Sequence, residues 1–247
     1  MYNPFTLEGK NILVTGASAG IGRGIAIACS KMGARIYAMG RNAERLDETL
    51  HQMEGEGHKT VICDLTLKEA IKSLVLDLPK LDGVVHCAGI GQRIPCKQLT
   101  ESDVDEVMNI NFKAPVLLQS ELLTQKKINK GASIVFVASI ASWSPTIGNS
   151  VYSASKGALI SYAKCLGLEL APRGIRVNSI SPAMVWTDLA TTGGVNLEEL
   201  KADEERYPLK RYGRPEDIAH LVIYMLSDAS SWMTNSNVEI TGGGKLS

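Results

Sequence analysis

Seven short apolar runs, separated by longer helix-like stretches, constrain this chain more than any other feature. The runs are 11-NILVTG, 34-ARIYAMG, 59-KTVICD, 82-DGVVHCAG, 132-ASIVFVAS, 175-IRVNSISP and 237-NVEITGG. They are continuous rather than alternating, as strands covered on both faces should be. Helical patterns are expected between them, near 21–32, 43–55, 67–78, 101–127, 152–171 and 216–227. Thr100 ahead of Glu101, Ser102 and Asp103 supplies an N-cap and an acidic first turn, and Pro215 with Glu216 and Asp217 opens the last helix in similar fashion. This rhythm predicts a doubly wound α/β architecture, a mostly parallel seven-stranded sheet with helices on both faces. The 247 residues suit one domain, 1–247. Segment 184–214 breaks the rhythm. It holds Gly193-Gly194, a charged helical piece at 197–206 and the turn-like 212-YGRPED, and is expected to be a substrate-loop insertion acting as lid or pocket wall.

Composition removes several alternatives. The 26 basic and 26 acidic residues cancel, so no broad positive field invites nucleic acid. The start, 1-MYNPFTLEGKNILVTG, lacks the pattern of a secretory leader, and no run reaches bilayer length; a cytoplasmic protein with no membrane partner is expected. The five cysteines, Cys29, Cys63, Cys87, Cys96 and Cys165, are scattered without CxxC, which argues for free thiols. The four histidines are scattered too, and no metal site is expected.

The first strand runs straight into 15-TGASAGIG-22 and then a helix. Gly16, Gly20 and Gly22, with Ser18, Ala19 and Ile21 between them, permit a tight turn and close backbone approach to a phosphate at a helix N-terminus. This points to a single-domain Rossmann fold. The spacing is G-x-x-x-G-x-G, without the Lys-Ser/Thr ending of a nucleotide-hydrolysing loop. After the second strand, Gly40 and Arg41 stand where an acid would hold the ribose hydroxyls of NAD(H). Arg41 is either a partner for a 2′-phosphate, favouring NADP(H), or a solvated turn residue; Arg45 is a weaker second candidate. Asp64, at the end of the third strand, either contacts the adenine amino group or caps a helix.

Tyr152 and Lys156 lie four apart and share a helix face, which alone describes any surface pair. A hydride arriving at a carbonyl carbon leaves charge on oxygen, which needs a proton and hydrogen-bond donors. A phenol gives up its proton only near pH 10, and an adjacent ammonium stabilises the phenolate. Ser139, ending the fifth strand, is either a donor to the substrate oxygen or a loop cap that shares its work with Ser142; Asn111 could merely pair with a neighbouring helix.

These motifs, taken in order, resemble the classical short-chain dehydrogenases/reductases from Leu7 to about Gly244. The glycine turn matches 15-TGASAGIG-22, the asparagine of the long helix matches Asn111 in 109-NINF, and the Ser, Tyr-x-x-x-Lys pattern matches Ser139 and 152-YSASK-156. The resemblance implies Asn111, Ser139, Tyr152 and Lys156 as catalytic residues, with Lys156 also holding the nicotinamide ribose and Asn111 a water. It also implies cofactor contacts at Leu65, Cys87, Ala88, Gly89, Pro182, Ala183, Val185 and Thr187. Two motifs depart from the family pattern: 86-HCAG-89 replaces Asn-Asn-Ala-Gly, and Ala183 replaces the glycine of Pro-Gly. Altered local packing around His86 with binding intact is therefore expected.

The substrate is less constrained. Trp143, Met184, Trp186 and Tyr207 suggest a partly apolar, aromatic-lined pocket, though each could equally be core or subunit interface; Trp232 reads as interface. The nearest resemblance is to 3-oxoacyl-[acyl-carrier-protein] reductases, which dock an acidic carrier on basic residues; 126-KKINK-130 and Arg173 stand at those places. Enzymes of the same core acting on sugars, polyols, steroids or other small ketones are the alternative, and a cofactor-binding sensor or scaffold a more distant one. The resemblance also implies a homodimer or homotetramer paired through the helices near 101–127 and 152–171.

Overall fold

A computed structural model describes residues 2–188 and 196–244, so Gly193 and Gly194 lie outside the described residues. Seven strands form one sheet: β1 Asn11–Thr15, β2 Arg35–Gly40, β3 Lys59–Ile62, β4 Leu81–His86, β5 Ile128–Val137, β6 Arg176–Pro182 and β7 Asn237–Ile240. Their order is β3-β2-β1-β4-β5-β6-β7, and every pairing is parallel. The chain winds outward from β1 to β3, returns to place β4 beside β1, then winds the other way. The switch point between β1 and β4 is where such sheets open a crevice at the carboxyl ends of their strands.

The continuous apolar runs are explained by burial on both sides. Ile12 and Val14 of β1 belong to one core cluster and Leu13 to the other, and all three are fully buried. Each such side chain contributes about 1.5–3 kcal/mol of transfer free energy. On one face lie α1 (Gly20–Lys31), α2 (Ala43–His51) and the helix Pro215–Leu226 (α8), with Ile25 and Val222 in the shared core. The other face carries α3 (Lys68–Asp77), α4 (Glu101–Met108), α5 (Ala114–Thr124) and α6 (Ser150–Leu170). A short helix, α7 (Leu197–Glu204), lies within the expected insertion. No described helix is long and apolar enough to cross a membrane.

Two elements differ from expectation. The long helix near 101–127 is broken: a π-helical turn, Asn109–Lys113, separates α4 from α5. Pro115 has no amide to give the carbonyl four residues back, and the helix widens there. The fifth strand starts at Ile128, ahead of the expected 132. Leu81 N donates to Lys127 O at 2.7 Å, and Lys127 Nζ reaches Leu76 O at 2.8 Å, so this segment is drawn against β4 before the main ladder begins. The first helix residue of α6 is Ser150, which puts Tyr152 in its opening turn.

Candidate active site

The glycine turn after β1 is packed as its sequence demands. Gly16 has φ +70°, and a Cβ there would meet the Ala88 backbone at 2.9 Å. A Cβ on Gly22 would run into the Gly16 carbonyl oxygen. The helix that follows opens without a side-chain cap at Ala19 and without an acidic residue in its first turn. Its leading amides therefore lack side-chain partners and carry the positive end of the helix dipole, the donor set a diphosphate takes. The turn is braced by Arg23, whose guanidinium donates to Ser18 O at 2.6 Å, Thr49 Oγ1 at 3.0 Å and Glu48 Oε2 at 2.8 Å.

A cleft of about 290 Å³ opens over this turn at the switch point. Its wall includes Gly16, Ser18, Ala19, Gly20, Ile21 and Gly22 from the turn, Arg41, Asp64 and Leu65 at one end, and Cys87, Ala88, Gly89, Tyr152, Lys156 and Thr187 at the other. Pro182, Ala183 and Val185 are not on that wall. Pro182 ends β6, Ala183 N donates to Ile240 O, and Val185 is buried in the core with its backbone bridged to Gly213. Arg45 is off the wall as well, and its guanidinium lies 3.7 Å from the carboxylate of Asp188. Asp64 caps no helix, since α3 opens after Leu67 without a side-chain capping bond. It lines the cleft, and its carboxylate accepts from Thr66 N at 2.9 Å and Thr66 Oγ1 at 2.7 Å. Those hydrogen bonds, helped by Arg41, hold the acid below its usual range.

The end of β4 shows what replaces the family asparagines. His86 is buried, stacks on Phe136 with ring centroids 4.6 Å apart, and sits 3.0 Å from Gln119 Oε1 through its Nε2. Burial drives its pKa down to about 4, against the smaller opposing effect of the Gln119 hydrogen bond. The backbone beyond it is held by Thr15, whose hydroxyl oxygen accepts from Cys87 N at 3.0 Å and Ala88 N at 3.1 Å. Burial pushes the Cys87 thiol up to about 12, so it remains protonated.

Tyr152 and Lys156 both face the cleft. Lys156 is 5% exposed, its Nζ donates to Val137 O at 3.0 Å and lies 5.7 Å from the centre of the Tyr152 ring. Asn111, fully buried, anchors the loop after β4: its Oδ1 accepts from Ile90 N at 2.8 Å, and its Nδ2 donates to Ile90 O at 3.0 Å and Ser155 Oγ at 3.1 Å. Ser139 follows Ala138 of the cleft wall without being on it; its Oγ accepts from Ala141 N at 3.1 Å, and its hydroxyl proton makes no hydrogen bond among the described residues. Thr15 and Arg23 were not singled out from the sequence. Thr15 opens the quoted glycine motif, yet its partners lie 72 and 73 residues away.

The aromatic residues expected around the pocket mostly serve the loop that carries them. Trp186 and Tyr207 pack against Tyr212, each with ring centroids 5.2 Å away, and Tyr212 is 1% exposed. Two acidic residues of α7 staple this cluster: Asp203 Oδ2 accepts from Tyr212 Oη at 2.7 Å, and Glu204 Oε1 accepts from Trp186 Nε1 at 2.6 Å and Tyr212 N at 2.9 Å. None of Trp143, Met184, Trp186 or Tyr207 is on the cleft wall. The basic residues Lys126, Lys130 and Arg173 do gather, with Lys80, around one depression. It lies at the amino-terminal end of β5, where the register against β4 slips between Ile128 and Ser133, and the strand spacing along β4 then places it about 25 Å from Ser139.

A family model described as enoyl-(acyl carrier protein) reductase matches residues 16–245. Among curated relatives, the 3-oxoacyl-[acyl-carrier-protein] reductase of Rickettsia felis is 35% identical over 237 residues, covering 96% of this chain and 97% of its own. The chain belongs to the short-chain dehydrogenase/reductase family. Within this family of oxidoreductases it is also similar to the L-xylulose reductase of Caenorhabditis elegans, 32% identical over 240 residues and 95% of each chain. A crystal structure from Beutenbergia cavernae, with NADP bound at low occupancy, superposes with a TM-score of 0.87 at 30% identity, covering 98% of both chains.

Proposed function

We propose that this protein interconverts a ketone and a secondary alcohol with NADP(H), Tyr152 acting as acid in one direction and base in the other. The observation that carries the reading is Tyr152 on the cleft wall with the buried Lys156 ammonium 5.7 Å from its ring. A nicotinamide cofactor would supply or accept the hydride. The glycine turn and the amides opening α1 would hold its diphosphate, and Lys156 its nicotinamide ribose. Ser139 would donate to the substrate oxygen while Tyr152 transfers its proton to that same atom. Lys156 stabilises the phenolate left behind.

The NADP(H) preference rests on Arg41. Its guanidinium lies on the cleft wall beside the turn, and no acid occupies the end of β2. Titration should show tighter binding of NADPH than NADH, with the gap narrowed by Arg41→Ala. Equal affinities in the wild type would remove Arg41 from this role.

For the substrate, the relatives named 3-oxoacyl-[acyl-carrier-protein] reductase support an acyl thioester on a carrier protein, docked on Lys80, Lys126, Lys130 and Arg173. At about 25 Å from Ser139, a carrier docked there would have to deliver its acyl group to the cleft of a neighbouring copy. A homodimer or homotetramer fits this need, and Leu168, an exposed apolar side chain on α6, suits a subunit contact. The same separation favours a second reading, a small sugar-like ketone of the kind named in the C. elegans relative. A turnover screen with NADPH against an acetoacetyl thioester, keto-sugars and steroid ketones separates these classes. Turnover of none of them would sink the ketone-reduction reading.

A further inference from the structure

The loop after β4 carries an arginine, Arg93, whose backbone packs against the segment leading into the helix of Tyr152. The loop is held at alternate residues. Ile90 is bonded both ways to Asn111, Gln92 Nε2 donates to Asp103 O at 3.0 Å, and Ile94 N donates to Gly148 O at 2.9 Å. Arg93 sits inside this frame, exposed, and among the described residues it makes no side-chain hydrogen bond or ion pair. The nearby acid on α4, Asp103, is committed to Thr100 N at 2.9 Å and Thr100 Oγ1 at 2.6 Å, so it does not neutralise the arginine.

Arg93 also packs against the entry to α6. A Cβ on Gly148 would lie 3.5 Å from the Arg93 carbonyl carbon. Gly148 precedes Tyr152 by four residues and lies just ahead of the helix, which begins at Ser150. That helix start is poor in partners. Asn149 makes no capping bond, its side-chain Nδ2 going instead to Thr146 Oγ1, and the first turn carries no acid. The Ser150 and Ser153 hydroxyl oxygens are buried there without a hydrogen-bond partner. A guanidinium without a side-chain partner among the described residues, on a loop packed beside a helix N-terminus that has neither cap nor acid, forms a donor set for an anion.

We propose that Arg93, with the opening turn of α6, binds an anionic group on the substrate. The protein would then act on a ketone or secondary alcohol that carries a carboxylate or phosphate within about 10 Å of the reacting carbon, two helical turns. This rests on the Tyr152 chemistry proposed above and narrows its substrate. It favours a small keto acid or keto phosphate over a carrier-bound thioester, whose phosphate lies at the far end of a long arm.

The test measures kcat/KM with NADPH for matched ketones: neutral D-fructose, 5-keto-D-gluconate with a carboxylate, and D-fructose 6-phosphate. The expected result is an anionic ketone preferred over fructose, with Arg93→Gln lowering that preference about 10- to 100-fold, the scale of a lost charge-assisted pair. Arg93→Lys should fall between. Which anion gains the preference distinguishes carboxylate from phosphate. If Tyr152-dependent turnover shows no preference for either anion, or if Arg93→Gln leaves the preference unchanged, the anion site is overturned and the ketone chemistry stands. If no ketone is turned over, both fall.

Discussion

The buried histidine at the end of β4 makes a quantitative prediction about acid stability. On folding, burial takes the His86 pKa from the ordinary 6.5 to about 4. The folded state therefore binds a proton less readily than the unfolded chain. Its stability contribution is present above pH 6.5 and is lost as pH falls through that value towards 4. With those two values, about 2 kcal/mol of stability should disappear between pH 7 and pH 5, and about 3 kcal/mol over the whole window. Carboxylates held low, such as Asp217 at about 2 beside Arg211, change the balance only at more acidic pH. The assay is urea unfolding at fixed protein concentration from pH 5 to 8, on the wild type and on His86→Leu. The variant loses the stack and strands Gln119, so its baseline drops, but its pH slope in this window should flatten. A wild type with no slope, or a variant with the same slope, would refute the buried, neutral histidine.

Three further substitutions test the scaffold of the site. Gly22→Ala pushes a methyl into the Gly16 carbonyl and should cost about 1–3 kcal/mol in thermal stability and weaken NADPH binding, read by melting and by fluorescence titration. Thr15→Val keeps the shape but removes the acceptor for Cys87 N and Ala88 N; about 1–3 kcal/mol of stability should go, with NADPH affinity falling alongside it. Tyr212→Phe removes the bond to Asp203, and amide exchange should quicken across 197–212 while α8 keeps its protection. Unchanged exchange in that segment would mean that the staple does not hold the loop.

The fold was legible because its signal is local. Strand interiors such as Ile12, Leu13 and Val14 are apolar on both faces, and the glycines after β1 sit where backbone meets backbone. The Tyr152–Lys156 pair was legible because one helix presents both. The parts that escaped the sequence depend on long-range partners. Thr15 matters through amides that only strand pairing brings to it. Trp186 and Tyr207 look like pocket aromatics until Tyr212, Asp203 and Glu204 are folded around them. By contrast, the cluster at 126–130 with Arg173 was legible, because segments that lead into the fifth and sixth strands lie at their amino-terminal ends.

The measurement closest to the central claim is turnover by Tyr152→Phe, on whichever ketone the wild type reduces, beside NADPH binding by the same variant. Loss of the hydroxyl proton donor should lower kcat by about 100- to 10,000-fold, the usual worth of a positioned acid, while NADPH affinity stays within a few-fold. Turnover at the wild-type rate with NADPH bound would contradict the account, because the proton would then come from elsewhere.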